Sequence, residues 1–159
     1  MVDVQIVMER LEALKGYIAE LDHYAQYSLS ELTSDFVRYR ASQHSLQLAS
    51  QAVVDIATHI ITADFASRVQ DYRRAITQLG KEGVLPAAFS ERLAPLAGFR
   101  NILVHEYLVV DPAKLYDVLI RGRGDIREFC ERISEYLERA STAPQTGQPD
   151  ALNNEAIHE

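Results

Sequence analysis

The sequence predicts an all-α protein, an antiparallel bundle of four to five helices. Apolar residues recur at spacings of three and four along most of the 159-residue chain, which is the period of one face of a helix. No segment alternates convincingly with the period of two that a half-buried strand requires. Helix-start residues such as Asp111-Pro112 separate the periodic segments from one another.

The first helix is predicted over residues 4–27. Its apolar stripe consists of Val7, Leu11, Leu14, Ile18, Leu21 and Ala25. The polar residues 28–34 predict a short turn, in which Ser34 is the expected N-cap of the next helix.

The second helix is predicted over residues 35–62. One face carries Phe36, Tyr39, Gln43, Leu46, Ser50, Val53, Ala57 and Ile60, and further apolar residues widen it. So wide a face indicates packing against more than one neighbour. Two long helices joined by a short turn predict an antiparallel hairpin, the first half of a bundle.

A shorter helix is predicted over residues 68–79, followed by Gly80 as a C-cap and Gly83 in a turn. Helix four is predicted over residues 86–105. Pro95 lies inside it and has no N–H to donate to the preceding turn, so we expect a kink just before residues 98–107.

The last helix begins at Asp111 as N-cap and Pro112 as first helical residue. Gly122 and Gly124 weaken its middle by about 1 kcal/mol each relative to alanine, which predicts a bend or break. The apolar period stops after Arg139. We therefore expect a helical domain over residues 1–140 and a polar, disordered tail over residues 141–159.

The composition limits the classes of protein to which the chain can belong. With 47% hydrophobic and 25% charged residues and a net charge of −7, the chain is typical of a globular protein whose overall surface repels nucleic acid. No apolar run reaches the roughly 20 residues of a membrane span, no secretory signal is evident, and the single cysteine, Cys130, cannot form an internal disulfide. We expect a cytoplasmic protein.

Arginine-rich stretches at 73–74 and 121–127 could guide RNA, but the net charge favours solvated helix faces instead. No Gly-rich phosphate loop and no Cys/His cluster with metal-ligand spacing is present, so neither a cofactor nor a metal is expected.

Residues 98–107 concentrate the chemistry: Arg100, Asn101, His105 and Tyr107 lie within eight residues. Five residues along an ideal helix correspond to about 140° of net rotation, so Arg100 and His105 would not share a face. They can act together if the helix ends near His105, or if two copies face each other across a dimer and build one composite site.

The chemistry that suits this pair is RNA cleavage without a metal. Histidine titrates near pH 6.5, so His105 can take a proton from a ribose 2′-hydroxyl or return one to the leaving oxygen. Arg100 can hold the phosphate and its developing charge. Asn101 can hydrogen-bond a phosphate or orient the histidine.

Arg100 through Tyr107 resembles the R-x-x-x-x-H-x-Y signature of HEPN-domain toxins of the HepT type. Residues 54–61 (VDIATHII) resemble the second-helix segment of that family, residues 79–85 and 93–99 resemble the lead-in to its motif, and Asp111 and Phe129 fall in its last helix. The resemblance covers roughly residues 2–139.

The resemblance implies a bundle that dimerises through the motif helices and a toxin that cleaves RNA. Arg100 and His105 would be catalytic and Asn101 would assist. The implied partner is a minimal nucleotidyltransferase (MNT) antitoxin, which can transfer AMP to the motif tyrosine, here Tyr107. Adenylates two residues from His105 would add bulk and negative charge where the RNA phosphate must lie.

Two other hypotheses remain open. The helical dimer could be a non-catalytic module that binds a nucleotide or a protein, or a scaffold that only docks the nucleotidyltransferase. Tyr107 could equally be a packing residue. His59 is expected to be structural, and Asp55, one turn earlier, to be its partner or a surface charge.

Overall fold

The computed structural model describes residues 1–105 and 110–142. These residues form an all-α bundle, as the sequence predicts, and no strand occurs among them. The helices are α1 (Val4–Tyr24), α2 (Leu29–Ser34), α3 (Phe36–Phe65), α4 (Tyr72–Lys81), α5 (Ala87–Leu93), α6 (Pro95–Val104), α7 (Pro112–Asp117) and α8 (Arg123–Thr142), with a π-helical turn, Val118–Gly122, between the last two.

Helix α3 is the centre of the bundle, because it packs against α1 and also against α4 and α6, while α8 packs on α1. Two hydrogen bonds show that α1 and α3 are antiparallel. The Met1 amine, before the start of α1, donates to the Ala63 carbonyl near the end of α3, and Glu20 near the end of α1 accepts from Ser45 in the first half of α3. The predicted antiparallel hairpin is therefore confirmed. The predicted α1 stripe is confirmed as well, with Val7, Leu11, Leu14, Ile18 and Leu21 buried.

The predicted turn at residues 28–34 is wrong, because these residues form α2. Ser28 caps it: its hydroxyl accepts from the Glu31 N–H at 3.2 Å, and the Glu31 carboxylate accepts from the Ser28 N–H at 2.8 Å. This reciprocal capping box supplies two hydrogen bonds to a helix of only six residues. The next N-cap is consequently Asp35 rather than Ser34, and Asp35 accepts from the Arg38 N–H.

Two other local predictions fail. Phe36 lies at the start of α3 with 70% of its surface exposed, so it is not part of the core face. Gly80 lies inside α4 instead of capping it, because α4 continues to Lys81. A side chain at Gly80 would collide with Ser90 of α5, so the glycine permits close approach of these two helices. Gly83, with φ of +74°, forms the turn that the sequence predicts.

Pro95 has a larger effect than the expected kink. It divides the predicted fourth helix into α5 and α6, and it occupies the first turn of α6, where its missing N–H costs nothing. The expected interruption near Gly122 is confirmed as the π-helical turn. The Asp111 cap is confirmed too, since its carboxylate accepts from the Ala113 N–H at 3.0 Å.

Helix α8 ends at Thr142, and the predicted tail beyond it lies outside the described residues. Within the described ranges, no helix combines the length and the apolar character needed to cross a bilayer.

Candidate functional site

Helix α6 carries Arg100 and Asn101, and it ends directly before His105. His105 is the C-cap residue, with φ −83° and ψ 87°, and its N–H donates to the Asn101 carbonyl at 3.4 Å. The helix ends here, but the near-helical φ and this hydrogen bond keep the His105 side chain close to its helical position. The offset of about 140° from Arg100 therefore persists within one copy of the chain, and the dimer remains the arrangement that could bring the two side chains together.

Opposite faces of α6 have opposite environments. Leu96, Ala97, Phe99 and Leu103 are buried and fix the helix to the bundle. Pro95, Gly98, Asn101 and His105 are exposed and follow one another at spacings of three and four. Asn101 and His105 are thus presented to solvent by a helix whose other side is anchored in the core, whereas Arg100 is half-buried.

Three side chains hold the Arg100 guanidinium. Its Nε donates to Gln51 Oε1 at 2.5 Å, its Nη1 donates to Asn101 Oδ1 at 3.0 Å, and its Cζ lies 5.1 Å from the centre of the Tyr72 ring. A cation over an aromatic face gains roughly 0.5–1 kcal/mol when the site is exposed. Arg100 is therefore oriented before any ligand binds.

Gln51 is oriented in turn by Asp55. The amide nitrogen of Gln51 donates to Asp55 Oδ1 at 2.7 Å, while its carbonyl accepts from Arg100. Asp55, Gln51 and Arg100 thus form a polar chain from α3 to α6. Asp55 makes no hydrogen bond to His59 among the described residues, which corrects the expected pairing; His59 is half-buried, and its Nε2 is buried without a partner there.

The sequence analysis missed Gln51 and Tyr72. A signal for Gln51 was present, because Gln43, Gln47, Gln51 and Asp55 recur at a spacing of four and form a polar stripe on α3. That spacing marks a shared face, but the sequence does not say which helix the face meets. Tyr72, at the start of α4, is 37% exposed, and its ring meets the Arg100 guanidinium only through the packing of α4 on α6.

His105 lies in a separate groove between α6 and the first half of α3, here named the α3–α6 groove. Arg40, Gln43, His44 and Gln47 line its α3 side, and Ile102 and Leu103 line its α6 side. Arg100 is not among the lining residues. Its partner Gln51 is one turn beyond Gln47 on α3, so the Arg100 contact adjoins the groove without being part of it. His44, to which no role was assigned from sequence, shares the groove with His105.

The other predicted features lie elsewhere. Tyr107, the expected AMP acceptor, lies outside the described residues. Among residues 1–105 and 110–142, no three His, Cys, Asp or Glu side chains are grouped so as to hold a metal ion. The arrangement that remains offers a fixed cation and an exposed imidazole at one end of a helix, which suits the binding of a phosphate and the transfer of a proton.

Comparison with known proteins finds a matching family model and similar proteins. A family model described as ribonuclease HepT-like matches residues 14–133. The tRNA nuclease HepT of Aphanizomenon flos-aquae is 30% identical over 132 residues, which cover 83% of this chain and 90% of the relative. The mRNA nuclease HepT of Shewanella oneidensis is 27% identical over 104 residues, which cover 65% of this chain and 78% of the relative.

Solved structures agree on the fold. The tri-AMPylated Shewanella oneidensis HEPN toxin, in complex with its MNT antitoxin, superposes with a TM-score of 0.74 at 24% identity, over 85% of this chain and 99% of the toxin. The Bacillus subtilis cytosolic protein YutE, of unknown function, gives a TM-score of 0.75 at 23% identity, over 91% of this chain and 96% of YutE.

Proposed function

The chain belongs to the HepT-like ribonuclease family, and from that membership we propose that it is a metal-independent endoribonuclease, the toxin of a toxin–antitoxin pair. The observation that carries the proposal is the end of α6: Arg100 is held in place by Gln51, Asn101 and Tyr72, and His105 is exposed where the helix stops.

The roles follow from the chemistry of RNA. His105 takes the proton of a ribose 2′-hydroxyl, the 2′-oxygen attacks the adjacent phosphorus, and the bond from phosphorus to the 5′-oxygen breaks. The leaving 5′-oxygen takes a proton from a second acid, which in a homodimer is the imidazole of the other copy. Arg100 compensates the charge that develops on the phosphate oxygens, and Asn101 helps to hold the guanidinium.

We propose a homodimer that pairs the α6 helices. The exposed face of α6 supports this arrangement, because Pro95 and Gly98 offer a surface with little side-chain bulk beside Asn101 and His105. A twofold axis near this face would bring the two copies of His105 and Arg100 to one composite site.

The proposed partner is a nucleotidyltransferase antitoxin of the MNT type. Support comes from relatives, since solved neighbours of the same fold are toxin–antitoxin complexes, one of them tri-AMPylated. In this chain Tyr107 is the proposed acceptor. Each transferred adenylate would place a phosphodiester two residues from His105, where it would repel the RNA backbone.

The test is substitution of the two motif residues. His105→Ala and Arg100→Ala should each lower RNA cleavage in a chelator-containing buffer by about 10²–10⁴-fold, the usual size of a general acid–base or charge-stabilising contribution. Growth arrest on expression should disappear in parallel. Arg68→Ala, an exposed arginine far along the chain from α6, is the control and should cleave like the wild type.

Full cleavage by both motif variants would contradict the catalytic assignment. Tight RNA binding by the wild type with no product over hours would instead favour a non-catalytic binding module. Intact mass after co-expression with the antitoxin tests regulation separately: the expected gain is one or more adenylates, and Tyr107→Phe should abolish it.

A further inference from the structure

A second groove lies on the other side of α6, between α6 and the segment that contains α7 and the π-helical turn. We name it the α6–α7 groove. Apolar side chains of α6 and its neighbours form the floor, among them Leu96, Phe99 and Ile102. Pro95 and Gly98 line its α6 edge, so in the proposed dimer the groove would lie along the seam between the two copies. Four basic side chains line the groove, each from a different element: Arg73 of α4, Arg92 of α5, Lys114 of α7 and Arg121 of the π-helical turn.

A basic lining is not unique to this groove, because Arg68, Arg74 and Lys81 line the groove beside α4 without an acidic side chain. The α6–α7 groove differs in its apolar floor and in its position next to the groove that contains His105. Its four basic side chains face two acidic ones, Asp117 and Asp125, so the lining is positive in a chain whose net charge is −7. Arg73 and Lys114 make no hydrogen bond or ion pair with any described residue, and both are exposed. These two cations are free to bind an external anion.

The other two basic residues are paired, but only at the surface. Arg121 Nε lies 3.0 Å from Asp117, and the Arg92 guanidinium lies 3.1 Å from Asp125 and 3.0 Å from Glu128. Exposed pairs of this kind contribute about 0–1 kcal/mol, so a phosphate can compete with the carboxylates at little cost.

The groove adjoins the one that contains His105. Ile102 lines both the α6–α7 groove and the α3–α6 groove that contains His105. A strand lying in the α6–α7 groove would therefore reach the end of α6 by crossing this one side chain. The apolar floor suits the faces of unstacked bases, which a duplex keeps inside, whereas the basic rim suits phosphates.

From these observations we propose that the α6–α7 groove binds a single-stranded segment of the RNA substrate next to the scissile link, with Arg73 and Lys114 as phosphate contacts. The inference rests on the proposed ribonuclease function and adds to it the path of the substrate. A single-stranded RNA is the expected occupant because the lining combines basic side chains, which suit phosphates, with apolar surface, which suits unpaired bases.

The experiment measures binding of a 2′-O-methylated single-stranded RNA by fluorescence anisotropy at several salt concentrations. This RNA lacks the attacking hydroxyl, so binding is separated from cleavage. In Arg73→Ala/Lys114→Ala, affinity should fall about tenfold or more, and the slope of log K against log salt should decrease by about 1.4, the loss of two single-strand phosphate contacts.

Arg68→Ala/Lys81→Ala is the matched control. These two residues are also exposed, make no interaction with described residues, and line a different groove beside α4. The control removes the same charge and should leave both affinity and salt slope unchanged. Equal losses in the two double variants would show a general charge effect and overturn the proposal.

Three further outcomes are decisive. Unchanged RNA binding by Arg73→Ala/Lys114→Ala overturns the groove while leaving the nuclease assignment intact. Loss of antitoxin binding or of the dimer, without loss of RNA binding, would assign the groove to a protein contact and also overturn it. If the groove variant loses RNA binding as expected but the wild type cleaves no unmodified RNA, the groove stands and the proposed catalysis fails.

Discussion

Arg100, the proposed phosphate-binding residue, shows how neighbouring groups can orient a side chain. A guanidinium has five N–H donors on a flexible stem, so holding it in one orientation costs conformational entropy unless other groups fix it first. Gln51 and Asn101 each accept one of its hydrogen bonds, and the Tyr72 ring lies against it. The remaining donors are then available for a phosphate.

Gln51 should therefore act as a positioning residue. We expect Gln51→Ala to lower kcat/KM for RNA by about tenfold, since a hydrogen bond to a charged group contributes about 1.5–3 kcal/mol and 1.36 kcal/mol corresponds to a factor of ten. Gln51→Glu should be more harmful although it is nearly isosteric, because a carboxylate beside Arg100 competes with the phosphate.

Steady-state cleavage assays and urea unfolding of the same variants check this role. Gln26→Glu, an exposed position between α1 and α2, introduces the same charge away from the site and should cleave normally. A loss of kcat/KM that merely tracks a loss of folding free energy, or a Gln51→Glu variant as active as wild type, would reject the positioning role.

At the scale of helices, stability depends on how closely they approach and how they are tied together. Gly80 lets α4 approach α5, since a Cβ there would meet the Ser90 side chain and lie 3.2 Å from the Ala87 Cα. Asp22 ties α1 to α8 by accepting from Arg123 at 2.7 Å and Arg127 at 2.6 Å. Both features depend on residues distant in sequence.

Gly80→Ala should destabilise the protein by about 1–3 kcal/mol, because overpacking at the helix contact outweighs the gain in helix propensity of about 1 kcal/mol. Gly16→Ala is the control: Gly16 lies mid-helix in α1 with no atom near its missing Cβ, so the same change should stabilise by up to about 1 kcal/mol. Urea unfolding followed by circular dichroism measures both, and equal signs would contradict the packing argument.

Burial raises the pKa of Asp22, but hydrogen bonds from Arg127 and Arg123 outweigh it and hold the pKa below its ordinary value of 3.8. A carboxylate with a lowered folded-state pKa stabilises the fold above its unfolded-state pKa, and that contribution is lost as the pH falls through the folded-state value. Asp22→Asn should thus cost about 0.5–1 kcal/mol near neutrality, a small value because the pair is partly exposed.

Measuring the unfolding free energies of Asp22→Asn and wild type at acid pH tests whether the ion pairs are the source of the difference. Below the ordinary carboxyl pKa, the difference in unfolding free energy between Asp22→Asn and wild type should shrink towards zero. Glu135→Gln, which removes an exposed carboxylate that makes no interaction with described residues, should show little difference at either pH. A difference for Asp22→Asn that is independent of pH would mean that the ion pairs are not its source.

At the scale of the whole molecule, the bundle anchors one face of α6 in the core and leaves the other exposed between two grooves. A glycine in an exposed helix position costs about 1 kcal/mol relative to alanine, and Gly98 has no neighbouring atom in the monomer that would exclude a side chain. The proposed pairing of α6 helices supplies a reason for it, because a second backbone can approach closely there.

If the proposed dimer forms, Gly98→Leu should convert it to a monomer while leaving the helical fold intact. Because Gly98 also lines the α6–α7 groove, the mass of the variant, and not its RNA cleavage, tests the pairing. Gly16→Leu makes the same change at an exposed, open position of α1 and should remain dimeric and active. Sedimentation equilibrium gives the mass of each variant. A Gly98→Leu protein that stays dimeric would exclude close contact of the two α6 helices at this residue.

The sequence by itself determined the helical class, most helix positions, a distortion at Pro95, the interruption near Gly122 and the candidate motif. These features are local: the period of apolar residues, caps and prolines act within a few residues of one another. Local errors arose where a short polar stretch had its own capping box, at Ser28 and Glu31, and where a glycine served packing and not termination, at Gly80.

Only the tertiary structure decided which side chains meet. Gln51 reaches Arg100 across 49 residues of sequence, and Arg73 and Lys114 come to one groove from different helices. The arginine stretches visible in the sequence are divided by the fold: Arg123 and Arg127 pair with Asp22, and Arg74 pairs with Asp71, whereas Arg73 faces the groove. Periodicity tells which residues share a helix face, but the packing of helices determines what that face touches.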